Sequence, residues 1–134
     1  MQLIHLSAGG VSVVIDTSSG TPAVLHWGSA IEHIENPDDF VRALLEIAPH
    51  CDFDDPQQPG IWRENSRGFL SRPTLIGSRQ GADFSQKFVL RETKQHSQNE
   101  VEFCSVDADA MLEVCAKFAL NEFGILKVDY SITN

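Results

Sequence analysis

Three aspartates close together are the residues of this chain best suited to chemistry. Asp52, Asp54 and Asp55 lie between His50 and Pro56. Hydrolysis of a glycoside needs two carboxylates on opposite sides of one bond, about 5 to 10 Å apart. A cluster of acids within one loop is more typical of a solvated turn. We therefore predict no catalytic residues within this chain.

Potential metal ligands and nucleophiles occur without the spacing that their chemistry needs. The adjacent pair His50-Cys51 cannot supply a tetrahedral zinc site alone, and the sequence contains no Cys-x-x-Cys or His-x-x-x-His. Ser71 and Ser85 lack the surroundings of a nucleophile elbow. Gly9-Gly10 has no phosphate-binding pattern around it. The sequence predicts no metal and no cofactor.

The sequence predicts different environments for the two tryptophans. Trp62 lies beside Arg63 and Glu64 in a polar, irregular stretch. Its ring could stack on the apolar face of a sugar or plug the loop, and both alternatives stay open. Trp27 lies on a predicted strand, where a large aromatic side chain is usually buried, so we expect it in the core.

Composition limits the class of protein. The chain has 134 residues, 42% of them hydrophobic, which suffices for the core of one domain and argues against disorder. With 19 acidic and 10 basic residues the net charge is −9, which argues against binding to nucleic acid or an anionic membrane. The three cysteines, an odd number, predict reduced, buried thiols in a cytoplasmic protein. The N-terminus resembles no signal peptide, and no apolar run approaches the ~20 residues needed to cross a bilayer.

The charges are distributed unevenly along the chain. Residues 32–55 contain eight acids and one base, whereas residues 63–94 contain seven bases and three acids. The ordinary interpretation is two solvated faces that attract each other. The alternative is that one segment meets a partner surface.

Alternating polarity predicts β-structure over most of the chain. Val11, Val13 and Ile15 alternate with Ser12 and Asp16, which is the period of a half-buried strand. A strand is also predicted over 2–6, before the turn at 9–10. The same period runs through 23–27, 87–91, 101–103, 112–120 and 126–132, with further turns at 18–22, 97–99 and 121–124. These patterns predict seven or eight antiparallel strands, and hence an all-β antiparallel sandwich.

Two segments interrupt the strands. A short helix is predicted near 37–48, because Asn36 can cap it, Pro37 suits its first position, and apolar residues recur at helical spacing until Pro49. Residues 49–86 hold four prolines and four glycines and show no periodicity. Such a long loop often binds something, and its four large aromatic residues indicate that it packs.

Several short motifs resemble the start of bacterial family 36 α-galactosidases. The motifs are GVSVVIDTSSGTPAVLHWGSAI, which contains His26-Trp27-Gly28, then SRGFLSRPTLIGSRQGADFSQKFVL, which contains Arg72-Pro73 and Gly81 to Ser85, and the closing KVDYSITN. The resemblance covers most of the chain. It implies an N-terminal β-sandwich, part of a larger β-supersandwich, that precedes a (β/α)8 barrel with the nucleophile and acid/base aspartates. No motif of that barrel occurs here, so we expect an inactive fragment, residues 1–134, of a retaining α-galactosidase.

We also expect a homo-oligomer, formed by dimerisation or strand exchange, because a truncated sandwich leaves open sheet edges that recruit other strands. Some members of the family that the chain resembles are oligomers. In oligomeric members a loop of this domain reaches the neighbouring subunit's active site, and here that loop would be about residues 50–72. Asp52, Asp54, Asp55 and Trp62 are its candidate sugar-binding residues, with an α-galactoside as substrate only in the full-length enzyme. The alternative is an independent carbohydrate-binding or protein-interaction module. We favour the first because no strand face carries a cluster of exposed aromatic residues.

Overall fold

The computed structural model describes residues 3–44 and 60–134. These residues contain two antiparallel β-sheets, each of which is a β-meander. The sheets have strand orders β1-β2-β3 and β4-β5-β6-β7. The predicted all-β sandwich with one short helix is confirmed. In chain order the elements are β1 (Leu3–Ala8), β2 (Val11–Asp16), β3 (Ala23–Ser29), α1 (Pro37–Leu44), a turn of 3-10 helix (Asn65–Arg67), β4 (Val89–Ser97), β5 (Glu100–Asp107), β6 (Leu112–Leu120) and β7 (Leu126–Thr133).

The core lies between β1 and β2 of one sheet and the central strands of the other. It also includes two side chains of the irregular segment, Trp62 and Phe88. The strand residues of this cluster are Ile4, Leu6, Val13, Ile15, Val101, Phe103, Val114, Ala116, Phe118 and Leu120. Because the apolar positions of each strand recur every second residue, they reach this interior together.

One end of the sandwich is closed by two touching turns. Gly9 and Gly10 form the predicted β1–β2 turn, both with positive φ, as a type I′ turn requires. A Cβ atom at Gly9 would come within 2.3 Å of the backbone nitrogen of Gly124, in the β6–β7 turn. Position 9 therefore requires glycine for its backbone conformation and for this close approach.

Strand β2 is buried on both faces, and the prediction of a half-buried strand is wrong for its polar side. Ser12 is fully buried, and its Oγ accepts a hydrogen bond from the Ile31 backbone N–H at 2.9 Å. Asp16 is also buried and accepts hydrogen bonds from the backbone N–H and hydroxyl of Ser18. The chain after β3 and the β2–β3 turn satisfy these polar groups.

Trp27 is not a core residue, which corrects the prediction. Its side chain is 64% exposed, although it lies opposite Val13 and so shares the inner face of the sheet. A bulge between Val14 and Ile15 shifts the register, so that Val24, and not Leu25, lies opposite Ile15 on the same face as Trp27, yet Val24 is also exposed. Strand β3 is an edge strand, and the second sheet leaves Trp27 uncovered within the described residues.

Helix α1 begins where the sequence predicts it. The side-chain oxygen of Asn36 accepts the backbone N–H of Asp38 at 3.0 Å, and its amide donates to Asp39 at 2.7 Å. No residue of α1 is buried. The helix is described to Leu44, so residues 45–48 of the predicted helix lie outside the described residues.

Two cysteines form a disulfide bond, contrary to the predicted reduced thiols. Cys104 on β5 and Cys115 on β6 are direct cross-strand partners, with Cα atoms 4.1 Å apart. The antiparallel register brings them together although eleven positions separate them in sequence. Cys51 lies outside the described residues.

Replacing both bonded cysteines (C104S/C115S) is expected to lower the free energy of unfolding by about 2–3 kcal/mol, because the bond restricts a short loop in the unfolded chain. Urea denaturation with and without dithiothreitol measures this. Reductant should destabilise the wild type to the level of the variant, whereas a Cys51→Ser control should keep its sensitivity to reductant. A wild-type curve that reductant does not shift would contradict the bond.

Candidate functional site

Of the four predicted sugar-binding residues, the structure describes only Trp62. Asp52, Asp54 and Asp55 lie outside the described residues. The candidate site is therefore the segment that follows them, residues 60–88, and the strands that hold it.

Trp62 is packed into the core. Its side chain is 4% exposed, and its ring centroid lies 4.8 Å from that of Tyr130 and 5.9 Å from that of Phe88. Burial also raises the pKa of Tyr130. Among the described residues, the indole Nε1 of Trp62 has no hydrogen-bond partner. This packing favours the alternative of a loop plug, and a sugar contact by Trp62 stays a prediction.

The start of the segment is fixed to the first sheet. The backbone N–H of Ile61 donates to the carbonyl of Pro22 at 2.7 Å. A Cβ atom at Gly60 would lie 2.6 Å from the hydroxyl oxygen of Thr21, so only glycine allows this approach. The first residues of the segment are thus held in place beside the β2–β3 turn.

Glu64 is the central polar group of the segment. It is 5% exposed, and its Oε1 accepts the backbone N–H of Phe88 at 2.5 Å. Its Oε2 accepts Arg67 Nε at 2.8 Å, and the same guanidinium donates to the Phe88 carbonyl at 2.7 Å. Glu64 and Arg67 together therefore satisfy both backbone groups of a residue 24 positions further along the chain.

Burial controls the ionisation of Glu64. Removal from water raises its pKa above the ordinary value of 4.5, and nearby Asp107 acts in the same direction. The hydrogen bonds from Phe88 and Arg67, with the charge of Arg67, lower the pKa but do not outweigh burial. Both oxygens of the Glu64 carboxylate are occupied by hydrogen bonds within the fold. The residue is therefore a poor candidate for a general acid or base in catalysis.

The end of the segment is held by further polar contacts. Ser66 donates its hydroxyl to the Gln86 carbonyl at 2.6 Å, and the Gln86 amide donates to two loop carbonyls. Asp107 on β5 accepts the backbone N–H of Lys87 at 2.8 Å. The other oxygen of Asp107 accepts two N–H groups of the β5–β6 turn. Asp107 is thereby fully committed to the backbone.

The clefts of this region are shallow. The cleft around Trp62 and Glu64 measures about 10 Å³, room for about one water molecule. A groove of about 290 Å³ has Leu75, Leu112 and Ile132 among its walls. Another of about 620 Å³ is bordered by Ser85, Asp83, Lys87, Val89, Arg91, Val106, Asp107, Ala108 and Asp109. These surfaces offer binding contacts, and no free buried acid faces them.

A serine–histidine contact occurs in the first sheet. His5 Nε2 lies 2.8 Å from the Ser12 hydroxyl, and burial, followed by the charge of His26, lowers the pKa of His5. Ser12 is fully buried, so no substrate can reach its hydroxyl. Within residues 3–44 and 60–134, no three His, Cys, Asp or Glu side chains are grouped so that they could hold a metal ion. In the same ranges no helix is long and apolar enough to span a membrane.

Comparison with known proteins gives one informative similarity. Over 112 residues the chain is 33% identical to an alpha-galactosidase of Escherichia coli. The aligned part is 83% of this chain and 15% of that enzyme. No protein-family model and no solved structure matches the chain. The chain is therefore similar, over most of its own length, to a limited part of that enzyme.

Sequence reasoning did not identify Glu64 as a central residue. The only local signal is the spacing of Glu64 and Arg67, three positions apart, which permits an ion pair within one helical turn. Their common partner, Phe88, becomes apparent only from the folded structure.

Glu64→Ala is expected to lower the free energy of unfolding by about 3–5 kcal/mol, because it leaves Arg67, with only 14% of its side chain exposed, without its carboxylate. Glu64→Gln should cost less, since its amide oxygen can still accept the Phe88 N–H. Urea denaturation at neutral pH compares the three proteins. Equal stability of Glu64→Ala and wild type would contradict the assigned role.

The wild type and Glu64→Gln should also differ in pH dependence. Because the folded pKa of Glu64 is raised above 4.5, the stability contributed by its protonation is present below pH 4.5 and is lost as the pH rises through the folded pKa. The stability of the wild type relative to Glu64→Gln should therefore decline over that range. A constant difference would contradict the raised pKa.

Proposed function

We propose that this chain is the non-catalytic N-terminal β-sandwich of an α-galactosidase-like glycoside hydrolase of family 36. The 112-residue match to the Escherichia coli enzyme carries this proposal. The relative is several times longer than this chain, since the match covers 15% of it. Its bond-breaking residues would then belong to a part of the full-length enzyme that this chain does not contain.

The hydrogen bonds that the buried carboxylates make within the fold support a non-catalytic role. Glu64 and Asp107 bind backbone N–H groups and Arg67, and Asp16 binds Ser18. A retaining glycosidase needs two carboxylates that can reach one glycosidic bond. Among the described residues, these buried acids are occupied by the structure itself.

We further propose that the chain aids oligomerisation and lends a loop to the sugar site of a partner subunit. Asp52, Asp54 and Asp55 would accept hydrogen bonds from sugar hydroxyls, since charged acceptors make the stronger hydrogen bonds. The anchoring of Gly60 and Ile61 beside Pro22 supports this, because it fixes the chain from the fifth position after Asp55. Trp62 would then hold the base of the loop.

The substrate of the full-length enzyme would be an α-galactoside, and no cofactor is needed for this chemistry. A cytoplasmic location stays a prediction, and the Cys104–Cys115 bond removes the argument from reduced thiols on which it partly rested.

One observation favours the second candidate, an independent sugar-binding or protein-binding module. Trp27 is 64% exposed on β3 and could stack on a sugar ring. Among the described residues, three other aromatic side chains are exposed, Phe84, Phe123 and Tyr130, and none of them lies on β3 with Trp27.

Activity measurements separate the two candidates. Residues 1–134 alone should not hydrolyse an aryl α-galactoside, whereas the product of the complete reading frame from which they derive should do so. Calorimetric titration of residues 1–134 with free galactose should give no saturable heat. Saturable binding that is lost in Trp27→Ala, with Phe123→Ala as the matched control, would instead support the binding module.

A further inference from the structure

The surface around helix α1 is acidic, and none of the residues of the helix is buried. Residues 32–44, named here the acidic helix surface, carry four exposed acids and a single Lys or Arg, Arg42, which lies 3.7 Å from Asp39. Phe40, Val41 and Leu44 form an apolar stripe at helical spacing. None of these three side chains is buried. Phe40 and Val41 are half-buried and Leu44 is 38% exposed, so the stripe is partly accessible. An amphipathic helix with such a stripe is suited to docking on another surface.

A second surface has the complementary character. Residues 60–91 contain six bases and two acids, and one acid, Glu64, is paired internally with Arg67. The exposed bases are Arg63, Arg72, Lys87 and Arg91. Three large apolar side chains of the same segment are also exposed, Leu70 at 99%, Phe84 at 75% and Ile76 at 63%. We name residues 63–91 the basic loop surface.

Local geometry places bases beside apolar groups on this surface. Arg63 lines the same cleft as Phe84 and Pro73. Lys87 and Arg91 line one groove with Val89 and Val106. Three acids, Asp83, Asp107 and Asp109, also border that groove, but Asp107 is occupied by backbone N–H groups.

No ion pair joins the two surfaces among the residues that the structure describes. In residues 3–44 and 60–134, every ion pair of the acidic helix surface and of the basic loop surface is internal to its own segment, as for Asp39–Arg42 and Glu64–Arg67. The sequence-based interpretation of two mutually attracting faces therefore has no ion pair to support it among the described residues.

The uneven distribution of charge restricts the orientations in which two copies of the chain can associate. Residues 60–91 carry a net charge of +4 in a chain of −9, so the remaining residues carry −13. Two copies repel each other in most orientations. They attract where the positive segment of one copy faces a negative surface of the other.

We propose that the acidic helix surface of one copy docks on the basic loop surface of a second copy. Acids at positions 32, 35, 38 and 39 would meet the exposed bases, while the apolar stripe of α1 would cover exposed side chains such as Phe84. This inference rests on the self-association in the proposed function and specifies its partner surface. The assignment of the chain to an α-galactosidase-like enzyme does not depend on this docking.

A charge exchange between two variants tests this docking. Variant one carries D38K/D39K and variant two carries R72E/R91E. Each variant alone presents like charges at the interface, so its dimer dissociation constant should rise about tenfold or more. An equimolar mixture restores opposite charges at both contacts and should recover association near the wild-type level. Sedimentation equilibrium on the 134-residue chain measures all of these constants.

Matched controls exclude a general effect of net charge. K94E/K127E changes the net charge from −9 to −13, as R72E/R91E does, and E113K/E122K changes it to −5, as D38K/D39K does. Both controls alter exposed positions outside the two surfaces and should keep the wild-type constant within about threefold, because exposed charges far from a contact are screened.

The outcomes are separable. Recovery in the mixture alone supports the proposed docking. Dimers of undiminished strength in both variants would overturn the docking surfaces but leave self-association intact. A wild-type chain that is monomeric at high concentration would overturn the docking and the proposed oligomerisation together, without bearing on the hydrolase assignment.

Discussion

The fold depends on the burial of one carboxylate. Transfer of the Glu64 carboxylate out of water is costly, and hydrogen bonds from the Phe88 N–H and the Arg67 guanidinium offset part of that cost. Arg67 in turn satisfies the Phe88 carbonyl. These contacts connect the irregular segment to the start of β4 and so to the larger sheet. Trp62, packed against Phe88 and Tyr130, adds apolar contact at the same junction.

This junction explains how an irregular segment can form part of a sandwich. Residues 60–88 contain no strand, yet Trp62 and Phe88 belong to the same core as β2, β5 and β6. A long loop is usually mobile because it buries little surface. Here the buried polar contacts and the aromatic cluster fix it, while Leu70, Ile76 and Phe84 stay exposed on its outer side. A rigid base with an exposed apolar and basic exterior suits a contact surface better than an active site.

Sequence periodicity predicted most of the strands and turns for a clear physical reason. Residues 112–120 contain good helix formers, but five alternate apolar positions correctly indicated β6, because one face of a sheet must be apolar throughout. The Gly9-Gly10 turn and the Asn36 cap were predictable because their chemistry is local.

The incorrect predictions concern interactions between distant residues. The burial of Trp27 could not be judged, because the bulge at Val14/Ile15 and the extent of the second sheet are tertiary features. The Cys104–Cys115 bond depends on the register of β5 and β6. Glu64 depends on Phe88, 24 positions away. The role of the three aspartates at 52, 54 and 55 depends on residues that the structure does not describe and stays a prediction.

Amide hydrogen exchange at Phe88 tests the central claim most directly. If Glu64 holds the irregular segment against the sheet, the Phe88 amide should exchange as slowly as the amides of the central strand β5, since its hydrogen bond is buried and its release requires the junction to open. Exchange as fast as that of the exposed Leu70 amide would show that the junction is open in solution and would contradict this account of the fold.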